Sequence, residues 1–202
     1  YASYTKDRAD IDLAACWAHV RRKFHDAIQE QPNLAGWFVN QIGLLYHIES
    51  GLRGRGPALR TAVRSSASAM IVARLGTALK RKLGHYLPTS MMESAIRYTL
   101  SLWPQLIRFL EDGRLEIDNN LVENAIRPTA VGKKNYLFFG DPEAGERSAI
   151  IYTIVESCRR HRINPQEYLH DVLSRLPAMT NQQTHTLTPA NWAAARRQAK
   201  VA

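Results

Sequence analysis

The chain has 202 residues, enough for one domain or a domain with a subdomain. Its hydrophobic fraction of 45% supports a packed core, which excludes a disordered chain, and no apolar run is long enough to span a bilayer, so no membrane association is expected. The formal net charge of +9 favours a polyanionic partner such as nucleic acid, because Lys and Arg displace counterions from phosphates, while charge alone equally fits a soluble protein that is simply basic. Two cysteines far apart, Cys16 and Cys158, make no disulfide framework and fit a reducing cytoplasm. The chain opens on Tyr1 rather than Met, as a piece of a longer protein would, and no secretory leader pattern follows.

In chain order, Ile11, Leu13 and Ala15 alternate with Asp12 and Ala14, a short strand signal that ends at Cys16. Residues 17–28 read as a helix with the Arg21-Arg22-Lys23 cluster near its start. Gln31-Pro32-Asn33 breaks it, and a helix over 36–52 follows with Phe38, Ile42, Leu45 and Ile48 on one side. Gly51, Gly54, Gly56 and Pro57 form a loop. One long helix is then expected over 58–87, with Val63, Met70, Leu75, Leu79 and Leu83 as its apolar stripe and Pro88 as its stop. Ser90 and Glu93 have the spacing of a capping box for the next helix. That helix carries Ile96, Leu100, Trp103, Ile107 and Leu110, with Pro104 as an expected kink and Gly113 as an end cap. The three helices predict an antiparallel bundle with short connections.

Leu115-Glu116-Ile117 reads as a short strand. Asp118-Asn119-Asn120 opens a short helix that Pro128 should end, and Tyr136-Leu137-Phe138-Phe139 is a strand-type segment. A strong helix follows over 145–162, with Ile150, Ile154 and Cys158 on one stripe and Ile151 and Val155 beside it. Asn164-Pro165-Gln166-Glu167 starts another, Asn as cap and Pro at the first position, ending near Leu176. The tail from Met179 is polar until Trp192 and the basic Arg196-Arg197, and loose packing is expected there.

The densest polar block runs from Glu116 to Pro128, and two readings compete for its Glu123. In one, Asn120 caps the helix, Glu123 closes a capping box and Arg127 pairs with Glu123 one turn on. In the other, Glu123 offers a carboxylate to a divalent metal, the hard-oxygen ligand that phosphoryl transfer needs. The spacing alone favours the cap. Cys16 and His19 lie three residues apart, but no second Cys/His pair completes a zinc site and no acid orients a nucleophilic pair. A buried thiol and a locally bonded imidazole are the plainer roles. Four basic clusters, at 21–23, 80–82, 133–134 and 159–162, are each commonly a solvated helix face. Together, with Phe24 and Tyr136 nearby, they point to a DNA-contact surface. No glycine-rich phosphate loop and no serine-hydrolase elbow is present.

Five blocks, in register, resemble the insertion sequence 66 transposase family: CWAHVRRKF at 16–24, DGRLEIDNNLVENAIRP at 112–128, GKKNYLFFG at 132–140, GERSA at 145–149 and NPQEYLHDVL at 164–173. The resemblance covers almost the whole chain. It implies a mainly α chain, the C-terminal part of an RNase H-like (α/β) catalytic core with a helical insertion and few short strands. By that reading 1–30 is the end of the core, 31–113 the insertion, 114–177 the core's C-terminal part and 178–202 a basic tail. Glu123 matches the glutamate of the family's DDE triad, which reverses the preference for a cap alone. His19, Asn119 and Asn120 match family motifs as active-site neighbours. Arg21, Arg22, Lys23, Arg127, Lys133 and Lys134 are the expected DNA contacts.

The resemblance further implies Mg²⁺-dependent DNA cleavage and strand transfer, transposon ends and target DNA as partners, a homo-oligomer, possible helper proteins of the element, and a bacterial cytoplasmic, nucleoid-associated location. Both triad aspartates would precede Tyr1, and Asp7, Asp10 and Asp12 do not match them. The chain by itself is therefore expected not to cut or join DNA, since one carboxylate cannot hold two metal ions about 4 Å apart. Two rival readings are a non-catalytic DNA-binding remnant and a helical protein-interaction module.

Overall fold

The structure, a computed structural model, describes residues 11–138 and 140–199. It is mainly helical and divides into two compact units, Tyr1–Glu123 and Asn124–Ala202. In the first unit the helices are α1 (Trp17–Asp26), α2 (Pro32–Gly51), α3 (Pro57–Val63), α4 (Ala69–Lys82), α5 (Met91–Ser101) and α6 (Trp103–Ile107). Trp17, Val20, Phe24 and Ala27 recur at helical spacing, so α1 buries one stripe and packs it against α2 and α5. Phe24 stacks on Phe38 of α2 with centroids 4.3 Å apart. Trp17 meets Trp103 and Phe109 edge-on, and its Nε1–H donates to the Leu106 carbonyl at 2.9 Å. A fully buried indole with a satisfied N–H anchors the whole unit. Trp17→Ala is expected to cost about 3–5 kcal/mol, the usual cost of emptying such a site, read as a drop in urea midpoint at unchanged slope.

The expected bundle helices form, with altered ends. The long helix over 58–87 is interrupted by a π-turn at Arg64–Ser68 and stops at Lys82, well before Pro88. Gly84, at φ +77°, turns the chain there, and its N–H donates to the Glu93 carboxylate at 3.1 Å. Glu93 therefore serves that turn and does not close a capping box, although Ser90 does cap α5 by accepting from Glu93 N. Glu30 completes the start of α5 by accepting from Met91 N. Pro104 kinks nothing: the helix breaks at Leu102, and Pro104 falls in the first turn of α6, where its missing N–H costs no bond.

None of the expected short strands forms among the described residues. Residues 11–16 and 115–117 are irregular, tied to neighbours by Ala15 N to Gln105 O and Trp17 N to Ile117 O. Isolated bonds of this kind satisfy the backbone without a ladder. The segment at 136–138 is a helix end, and Phe139 lies outside the described residues. Helix α7 (Asn120–Tyr136) continues past Pro128. The proline removes one intrahelical bond, and the rest of a helix of this length keeps the chain helical. It ends at Leu137, whose φ of +64° closes a bond to Lys133 O.

One buried cation fixes the loop that leads into α7. Arg64 is fully buried, and its guanidinium donates twice to the Glu49 carboxylate at 2.7 Å and to the carbonyls of Phe109 and Asp112. Arg60 extends the network from Glu49 to Glu116 at 2.9 Å. Gly113 sits where a Cβ would meet the Pro57 carbonyl oxygen, and its N–H donates to Thr61. The segment at 109–116 is thus clamped onto α2 and α3.

The second unit holds the rest of α7, then α8 (Pro142–Arg160), α9 (Pro165–Arg175) and α10 (Pro189–Ala199). Asp141 and Asn164 cap α8 and α9, each followed by a proline at the first position, as the sequence predicts for α9. Its small core joins Cys158, Tyr168 and Trp192. The tail is therefore not loose. Trp192 meets Tyr168 edge-on at 5.6 Å and donates to Asp171 at 2.7 Å, while Tyr168 donates to the Leu187 carbonyl. Of the stripe on α8 only Cys158 is fully buried; Ile150 is 61% exposed.

The Trp192 N–H, and then Arg175, hold the Asp171 carboxyl below the ordinary carboxylate range. A lowered folded-state value favours the ionised form, so the stabilisation is present at neutral pH and lost as pH falls below about 4. Asp171→Asn is expected to lower stability at neutral pH and to flatten that acid loss. Thermal melts of both proteins from neutral to acid pH read it, and an unchanged acid slope would disprove the linkage.

Candidate active site

Glu123 stands on the first turn of α7, and His19 on α1 reaches it: His19 Nε2 lies 3.2 Å from Glu123 Oε1. At that distance the two form an ion pair whenever the imidazole carries its second proton. The two side chains are 38% and 44% exposed, so the carboxylate is held on one side and open on the other. The capping-box geometry is not what the structure shows. Asn120 N donates to Asp118 Oδ1 at 3.0 Å, and Asn120 Nδ2 donates to Asp118 Oδ2 at 2.8 Å. Asp118 thus serves the N–H that a capping-box glutamate would take, and the Asn119 carbonyl accepts from Val122 N and Glu123 N to open the helix. Glu123 is left uncommitted to the backbone.

Beside this pair lies a cleft of about 640 Å³ between α1, α2 and the start of α7. Arg21, Arg22 and His25 line it from α1, Tyr46 from α2 and Asn120 from α7. The buried stripe of α1 fixes the rotation of the helix, which turns Arg21 and Arg22 to the cleft as it turns Trp17 and Phe24 to the core. Lys23 points elsewhere, with its ammonium 5.7 Å from the Tyr98 ring centroid. The Tyr46 hydroxyl is buried without a hydrogen-bond partner among the described residues. Burial first, and then the Asp118 carboxylate, push it far above the usual phenol range, so it stays protonated.

Of the residues expected from the sequence, His19, Arg21, Arg22, Asn119, Asn120 and Glu123 come together in the first unit. Arg127, Lys133 and Lys134 are exposed on the part of α7 that belongs to the second unit. Sequence reasoning set Asp118 at the helix start without its bonds to Asn120, and missed Tyr46. Asp118 was legible as an Asx residue two before the helix start; Tyr46 carried no local signal. Among the described residues no three His, Cys, Asp or Glu side chains could hold one metal ion. Mg²⁺ takes several oxygens in octahedral array. Glu123 suits one such position, and the described residues do not complete the set.

No helix among the described residues is long and apolar enough to cross a membrane. Residues 1–147 match the Transposase IS66 family, and residues 153–190 match the IS66 C-terminal element. Three uncharacterized proteins of Sinorhizobium fredii are similar. y4qI is 38% identical over 87% of this chain and 34% of its own length. y4jD is 34% identical over 91% of this chain and 37% of its own length, and y4hP is 30% identical over 90% and 35%. The chain thus spans about a third of the length of these relatives. No solved structure matches. The match across residues 1–147, joined by the match across 153–190, places this chain in the IS66 transposase family.

Proposed function

We propose that this chain is the C-terminal part of a DDE-type transposase that cleaves DNA and transfers strands with Mg²⁺, and that Glu123 is the triad glutamate. The observation that carries the reading is the pairing of His19 with Glu123 at 3.2 Å beside a cleft lined by Arg21 and Arg22. The family match supports DNA as the substrate. The remaining carboxylates of the metal site, and the sheet of an RNase H-like core, come from segments outside the described residues. Bound Mg²⁺ would activate the attacking oxygen and neutralise the leaving one. The chain's own residues do the rest. His19 fixes the Glu123 carboxylate in one rotamer. Arg21 and Arg22 neutralise phosphates along the cleft, and the Tyr46 hydroxyl donates to an oxygen bound there. Arg127, Lys133 and Lys134, on the second unit's part of α7, are further phosphate contacts.

The test is cleavage of element-end DNA by the longer transposase, with Glu123 and with Glu123→Gln, titrated with Mg²⁺. Loss in the variant alone supports the reading, and equal activity overturns it.

A further inference from the structure

We infer that the second unit carries its own DNA-backbone site, in the cleft between the α8–α9 corner and α10. The inference rests on the reading of this chain as part of a DNA-acting enzyme, and it assigns a role to arginines which that reading leaves unused. The cleft is about 520 Å³, and His161, Arg162, Glu167, Trp192, Arg196 and Arg197 are among its lining residues. Its arginines come from two elements far apart in sequence. Packing of Trp192 on Tyr168 and Cys158 is what brings them to one place.

The charges do not cancel. Glu167 is the one acid in the lining, 3.6 Å from Arg196. The Arg196 guanidinium also lies 4.1 Å from the Trp192 ring centroid, which holds it in place over the cleft. Arg162 and Arg197 make no ion pair among the described residues. Arg162 has a further peculiarity: it follows the end of α8 at φ +56°, a conformation that favours glycine and costs a residue with a Cβ roughly 1 kcal/mol.

The chemistry favours phosphate over an acidic protein. A guanidinium fork matches phosphate oxygens in bidentate fashion. A protein partner would need an apolar anchor, and the aromatic of this cleft, Trp192, is only 6% exposed. Exposed cations around a covered aromatic suit a backbone contact without base reading.

The experiment uses the whole 202-residue chain. Binding of a labelled duplex is measured by anisotropy between roughly 50 and 200 mM salt. Arg162→Gly with Arg197→Gln removes the two unpaired charges; the glycine relieves the positive φ, so the fold should hold, and an unchanged thermal midpoint checks it. Arg21→Gln with Arg22→Gln is the comparison. The expected result is a salt slope about 2 smaller for the Arg162/Arg197 variant, from about 0.9 per lost phosphate contact, with an affinity loss on the order of tenfold or more. Duplex binding with an unchanged slope in that variant overturns the inference and leaves the proposed function standing. No duplex binding by the unaltered chain counts against both. Displacement of the duplex by polyglutamate at equal charge assigns the cleft to acidic protein and overturns the phosphate reading.

Discussion

Arg64→Met is expected to lower the stability of the first unit by about 3 kcal/mol, the lower end of the range for breaking a buried ion pair from one side. Methionine fills most of the volume, so the loss is electrostatic. Arg64 is fully buried, and its removal strands the Glu49 carboxylate and the carbonyls of Phe109 and Asp112. Arg60, at 3.3 Å from Glu49, still offsets part of the charge, which is why the lower end is expected. Adding Glu49→Gln should recover part of the loss, because the stranded charge is then gone. Urea unfolding of the two single variants and the double variant reads this directly. Losses that simply add would show that the pair is not coupled. The consequence reaches the site, because the Arg64 clamp holds the segment that leads into Asp118 and the start of α7.

Glu123→Gln in the longer transposase is expected to lower cleavage and strand transfer by roughly 10²- to 10⁴-fold. A metal ligand supplies several kcal/mol of transition-state stabilisation, and each 1.36 kcal/mol is about tenfold. The fold should not suffer. The side chain is 44% exposed, and the helix start is held by Asp118 and the Asn119 carbonyl. Glutamine keeps the size and can still meet His19, so the variant removes charge and little else. Lost activity with an unchanged melting temperature is the expected pair of readings. Lost activity with unfolding would mean that Glu123 is structural.

The two effects separate stability from chemistry along one segment. Arg64 acts on where residues 109–116 sit. Glu123 acts on what the helix start offers once it is there. The sequence could suggest the second role, because the resemblance named Glu123. It could not suggest the first, because Arg64 in a run of Arg, Ser and Ala looks like a surface residue.

Helix positions followed from local pattern. The helix that begins at Trp17, the Asn164-Pro165 start of α9 and the Ser90 cap are decided within a few residues, so they could be read directly. So could the family, since five blocks in order need no tertiary contact to be seen. The strands were misread because alternation at 11–15 and 115–117 is a local signal for a ladder that needs partners, and no partner strand exists among the described residues. Pro128 was misread because a proline strongly disfavours a helix locally, and only the bonds of the turns on both sides keep this one continuous. The tail was misread because Trp192 finds Tyr168 and Asp171 only in three dimensions. The same holds for the meeting of His19 with Glu123, far apart in the chain. Sequence alone determined the helical periodicity, the Ser90 and Asn164 caps and the family. Which carboxylate is left open, which arginines share a cleft and which arginine is buried depended on long-range packing, because those outcomes are set by distant side chains competing for the same partners.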